Sequence, residues 1–139
     1  MRRTAISPGM VVLVVAVATM LFSACQPEPG ASVDAATAYE MVQNGEALLL
    51  DVRSAEEYEE AHIAEAISLP FYDINEGEMA RIAARGRVII AYCACPHEET
   101  SIAAAGEFIQ AGYENVRVLK GGIQDWAAEG YPLRPGLRP

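Results

Sequence analysis

Two short segments, Ala47-Leu-Leu-Leu-Asp-Val52 and Arg87-Val-Ile-Ile-Ala-Tyr92, are apolar at almost every position. Each has the length of a strand and neither alternates, the pattern of strands buried on both faces. Such strands need a sheet whose two faces are both covered. The segments around them supply the cover. Ser32 reads as the N-cap of a helix over 33–42 that stops at Asn44-Gly45. Ser54 and Glu57 have the capping-box spacing for a short helix through Glu60. Ala66-Ile-Ser-Leu69, ahead of Pro70, reads as a second short strand, and 76–85 as a helix ended near Gly86. A helical pattern over 101–111 stops at Gly112, Val116-Arg-Val-Leu119 reads as a strand closed by Gly121-Gly122, and 123–128 as a last helix before Gly130. Strands alternate with helices throughout, which predicts an α/β domain with a central, mostly parallel sheet and helices on both faces.

The first two dozen residues read as a leader, not as part of the fold. Arg2 and Arg3 precede an apolar run from Met10 to Phe22, and Ser23-Ala24 stand directly before Cys25. This is the layout of a bacterial secretory signal. Its Leu21-Phe22-Ser23-Ala24-Cys25 ending resembles a lipoprotein signal, in which Cys25 is acylated and becomes the mature amino terminus. An ordinary cleaved signal and a retained anchor are the alternatives, although the run is shorter than the roughly 20 residues of a membrane span. The expected organisation is a signal over 1–24, a tether over 25–32 with the composition Gln26-Pro-Glu-Pro-Gly-Ala-Ser32, and one domain over 33–135. The expected location is a cell membrane facing the periplasm or exterior. Nineteen Asp and Glu against ten Lys and Arg give a net charge of −9, which argues against a nucleic-acid partner and against electrostatic docking on anionic lipid. Membrane attachment then falls to lipid on Cys25, and stable anchoring takes more than one chain.

The second apolar strand runs into Cys93-Ala-Cys95-Pro-His-Glu-Glu-Thr-Ser101. That order puts thiols between the carboxyl end of a strand and the amino end of a helix, where ligands bind in open α/β sheets and negative charge is favoured. A thiolate is stabilised in such a place. The spacing leaves several chemistries open. Cys93, Cys95 and His97 offer three ligands suited to Cu(I), with no obvious fourth. The two cysteines could instead close a local disulfide, or one could resolve a persulfide formed on the other. A binding loop that never turns over is the remaining possibility.

Six motifs in order show that the chain resembles the rhodanese-like domain family. Leu50-Asp51-Val52-Arg53, Glu56-Glu57-Tyr58 and His62-Ile63 look like the family's opening "D-x-R … E-[FY] … G-H-I", with Ala61 for the glycine. Ala66-Ile-Ser-Leu-Pro70 is similar to "A-x-N-[IL]-P", Tyr92-Cys93 to the strand-end cysteine, and Ser101 to the opening of the next helix. Gly112-Tyr113, Asn115-Val116, Gly121-Gly122 and Trp126 match the closing "G-[FY]-x-N-V … G-G … W". The resemblance implies a sulfurtransferase of the thiosulfate type. One cysteine takes sulfane sulfur from a donor as a persulfide and passes it to an acceptor thiol or other nucleophile, and no cofactor or metal is implied.

The loop departs from the family in length and in charge. Counted from the strand, Cys93 holds the family cysteine's place; counted back six residues from Ser101, Cys95 does. Pro96 removes an N–H donor beside Cys95, which tilts the choice toward Cys93. The substrate loop Pro96-His97-Glu98-Glu99-Thr100-Ser101 carries no Arg or Lys. Carboxylates at Glu98 and Glu99 are expected to raise a thiol's pKa and repel anionic donors, with only His97 and the helix terminus opposing them. Efficient thiosulfate–cyanide transfer is therefore not expected, and a neutral or protein-bound sulfane-sulfur donor suits the loop better. Asp51 with Arg53, and His62, are expected to serve as structural support around the turn, and Gly121-Gly122 to give backbone freedom beside the loop. Trp126 is expected in the core, and 56–60 on a solvated face.

Overall fold

The computed structural model describes residues 28–136. The leader over 1–24 and Cys25 lie outside these residues. A five-stranded, all-parallel sheet forms the centre, in the order β1 (Ser32–Val33), β6 (Val116–Leu119), β5 (Val88–Tyr92), β2 (Ala47–Asp51), β4 (Ile67–Ser68). Helices α1 (Ala35–Gln43), α2 (Ala55–Glu60), α3 (Glu76–Ala83), α4 (Glu99–Gln110) and α5 (Gly122–Ala128) cover it. The expected α/β architecture is the observed one.

Alternate residues of the central strands feed two cores. Leu48, Leu50, Ile89, Ala91, Val116 and Val118 pack with Met79 and Ile82 of α3 and Phe108 of α4. Ala47, Leu49, Ile90, Tyr92 and Leu119 pack on the opposite face with Ala38 of α1, Tyr58 of α2 and Trp126 of α5. Both faces are dry, which is why β2 and β5 read as unbroken apolar runs. Truncating any of these leucines to alanine removes about 2–5 kcal/mol.

The first helix starts later than expected. Asp34, not Ser32, is the N-cap of α1, its carboxylate accepting from Thr37 N at 2.8 Å. Ser32 belongs to β1, and Gly30 N donates to Val116 O at 2.8 Å, so the end of the tether segment is bonded to the sheet. A two-stranded antiparallel ladder of β3 (His62–Ile63) and β7 (Leu133–Arg134) was not expected. It ties the chain's last described turn to the segment after α2. Among the described residues no helix is long and apolar enough to cross a membrane.

Candidate active site

Parallel pairing of β2 with β5 sets Asp51 beside Tyr92 in register. Tyr92 Oη donates to Asp51 Oδ2 at 2.6 Å, and Arg53 reaches back to the same carboxylate, Nη2 donating to Oδ2 at 2.6 Å and Nε to Oδ1 at 3.0 Å. Arg53 Nη2 also donates to Ala61 O at 2.7 Å. A fully buried carboxylate needs such partners, and these pin the chain where it leaves β2. Burial and the Asp51 charge push the Tyr92 phenol above its ordinary range, so it stays a donor. His62 lies face to face with the Tyr58 ring, with Nδ1 2.8 Å from Tyr58 O, outside the loop that carries the thiols.

One residue beyond Tyr92 the chain turns to the other core, and Cys93 is 1% exposed there. Its sulfur lies 3.6 Å from Ser101 Oγ and accepts Cys95 N–H at 3.3 Å. The Ser101 hydroxyl donates to Glu98 O at 3.0 Å. With that proton committed, its oxygen is left to accept the Cys93 S–H. Burial, together with the neighbouring Cys95 side chain, pushes the Cys93 thiol up.

Cys95 is half-buried, with Sγ 3.1 Å from Thr100 Oγ1. Burial acts to raise its pKa, but hydrogen bonds from Cys93, the Thr100 hydroxyl and the Thr100 N–H outweigh it and hold the thiol below its ordinary value. The helix supplies both hydroxyls. α4 begins at Glu99, two residues ahead of the expected Ser101, so Thr100 and Ser101 sit side by side in its first turn. Each faces one of the two thiols.

The acidic loop acts on the thiols as expected through Glu99 but not through Glu98. Glu98, left-handed at φ 53°, swings its carboxylate onto Gly121 N at 2.6 Å, across the loop. Glu99 remains beside Cys95 and acts to raise it, yet the net shift of Cys95 is downward. The Gly121-Gly122 turn is stitched to the cysteine loop at two further points. Ile123 N donates to Cys93 O at 3.1 Å and Gln124 Nε2 to Ala94 O at 2.9 Å. A Cβ on Gly122 would overlap the Cys93 carbonyl oxygen, and its φ of 54° also favours glycine.

Both cysteines line a cavity of about 750 Å³ together with Phe71 and Tyr72 of a 3₁₀ turn (Phe71–Asp73). Its charged lining is Arg53, already held by Asp51, against Glu56, Glu57, Asp73 and Glu99. Pro96, His97 and Glu98 are not part of the wall; Glu99 and Thr100 are. Phe71 and Tyr72 are cavity-lining residues the sequence did not point to, Pro70 being their sole local signal. A larger cleft of about 1170 Å³ beside β4 contains His62, Arg81 and Arg134 but neither thiol. His97 is exposed, and among the described residues no three His, Cys, Asp or Glu side chains converge on a metal position. The three-ligand Cu(I) arrangement is thus not assembled.

Residues 34–129 match the Rhodanese-like domain family. The chain belongs to the rhodanese-like family. The thiosulfate sulfurtransferase GlpE of Coxiella burnetii is 31% identical over 91 residues, spanning 66% of this chain and 81% of that protein. Among solved structures, the BH2092 protein of Bacillus halodurans superposes with a TM-score of 0.69 at 30% identity, covering 95% of this chain and 89% of its own. A rhodanese-related protein of Thermoplasma volcanium reaches a TM-score of 0.61 at 35% identity, covering 75% and 97%. The rhodanese-like chain thus has relatives that carry the sulfurtransferase name.

Proposed function

We propose that this rhodanese-like domain is a sulfurtransferase that carries sulfane sulfur as a persulfide on Cys95. The proposal goes against the tilt toward Cys93 that the missing Pro96 donor gave. The carrying observation is the contrast between the thiols. Cys95 stands at the cavity with Thr100 Oγ1 3.1 Å away, whereas Cys93 is 1% exposed and pushed up by burial. A nucleophilic thiol must be both ionised and reachable. The Cys95 thiolate attacks the sulfane sulfur of the donor, the donor's S–S bond breaks, and the donor fragment leaves with the electron pair. The first turn of α4 then faces the anionic persulfide.

The donor and acceptor are neutral, zwitterionic or protein-bound, because four carboxylates line the cavity against one already paired guanidinium. The leader over 1–24 supports an exported domain held to a membrane by lipid on Cys25, facing the periplasm or exterior. Sulfur loading from cysteine persulfide and from thiosulfate, each followed by intact mass, tests the donor class. Faster loading from cysteine persulfide is expected. Fast thiosulfate-to-cyanide turnover, lost on Cys93→Ser or Cys95→Ser, would overturn it.

A further inference from the structure

We propose a second activity of the same loop, which rests on Cys95 being the sulfur carrier: Cys93 attacks the inner sulfur of the Cys95 persulfide, closes a Cys93–Cys95 disulfide and releases the sulfane sulfur as hydrosulfide. Cys93 is a nucleophilic side chain that the transfer reaction leaves unused. Although it borders the cavity, at 1% exposure it offers almost no surface to an external donor or acceptor, which leaves the thiol two positions on as its reaction partner. The loop already holds the pair together. Cys95 N–H points at Cys93 Sγ at 3.3 Å, and both side chains line one cavity. A single small residue, Ala94, separates them.

The step balances without an external oxidant. The persulfide anion at Cys95 and the Cys93 thiol give the Cys93–Cys95 disulfide and HS⁻. The bond between Cys95 Sγ and the sulfane sulfur breaks, and its electron pair leaves with the sulfane sulfur. The proton that Cys93 shares with Ser101 passes first to the outer sulfur of the persulfide, so Cys93 attacks as the thiolate and the leaving group is HS⁻. Both cysteines are oxidised, and the sulfane sulfur is reduced to sulfide. Attack on the outer sulfur instead would move it onto a residue that no acceptor reaches, so the inner attack is the one that yields a free product. A dithiol reductant then opens the disulfide by exchange and restores both thiols. Such a domain reduces sulfane sulfur to sulfide at the expense of a dithiol.

The full chain, carrying Cys25→Ser so that Cys93 and Cys95 are its two thiols, is loaded anaerobically with cysteine persulfide, desalted and left without reductant. Sulfide release of one equivalent per chain is expected, with loss of both free thiols and a final mass two hydrogens below the reduced protein. A dithiol restores the starting mass. Cys93→Ser and Cys93→Ala are expected to gain one sulfur, keep it and release no sulfide. Wild-type protein that keeps its added sulfur as long as these variants do would overturn the proposal while leaving Cys95 as carrier. Sulfur that loads on Cys95→Ser and never on Cys93→Ser or Cys93→Ala would overturn the carrier assignment and this proposal with it. The wild-type thiol count and sulfide yield decide the matter even where a Cys93 variant fails to fold.

Discussion

The Glu98 carboxylate accepts the Gly121 N–H at 2.6 Å, so an acid in the cysteine loop holds the loop's shape instead of facing its sulfur. The bond crosses 23 residues and joins the entry of α4 to the turn that opens α5. With Ile123 N on Cys93 O and Gln124 Nε2 on Ala94 O, it fixes the backbone from which both thiols project.

Glu98→Ala removes a hydrogen bond to a charged acceptor and is expected to lower stability by about 2 kcal/mol. Glu98→Gln keeps an acceptor oxygen and loses less. Urea midpoints at constant m-value check both, and a loss in Glu98→Ala below about 0.5 kcal/mol would mean the bond contributes nothing net.

The two thiols are displaced in opposite directions from the ordinary 9.0, Cys93 upward and Cys95 downward. Alkylation followed by peptide mass is expected to modify Cys95 first, with a rate inflection below pH 9.0, while Cys93 stays protected until the chain unfolds. Linkage gives each thiol its sign. Stability from Cys95 is present above its unfolded pKa and is lost as pH falls through the lower folded value. For Cys93 the unfolded chain ionises first, so stability falls as pH rises past the ordinary thiol value. Faster modification of Cys93 than of Cys95 would contradict the account.

Thr100 positions and acidifies Cys95 through the 3.1 Å contact of its hydroxyl. Thr100→Val keeps the shape and removes a bond of about 1 kcal/mol, so alkylation of Cys95 at neutral pH is expected to slow about five-fold. The pH–rate inflection should move upward, and Thr100→Ser should bring it back. An unmoved inflection in Thr100→Val would leave the hydroxyl without a role at the sulfur.

Asp51 carries the Arg53 and Tyr92 side chains at full burial. Asp51→Asn leaves a guanidinium without its charge partner and is expected to lower stability by about 3 kcal/mol. Chemical denaturation checks this. A neutral result would show that the pair is replaceable at no cost.

Much of the fold is legible because its strands are buried on two faces. Val116 to Leu119 is a strand at the expected residues, and the Ser54–Glu57 capping box is formed in both directions. Local pattern gave out where distant contacts decide. Ser32 and Asp34 are both capping residues; pairing of Ser32–Val33 with β6 hands the cap to Asp34. α4 starts early because Glu98 enters it in a left-handed conformation, with no capping side chain to mark the place. The β3–β7 ladder is two residues long on each side, too short to leave a period. At the site, both thiols were visible in the sequence, but the destination of the Glu98 carboxylate was not, since its partner lies 23 residues away.

Whether Cys95 carries the sulfur is read from the intact mass of Cys93→Ser and Cys95→Ser, each made with Cys25→Ser so that one thiol remains. After incubation with cysteine persulfide, Cys93→Ser is expected to gain one sulfur and Cys95→Ser none. Sulfur gained by Cys95→Ser and absent from Cys93→Ser would contradict the account.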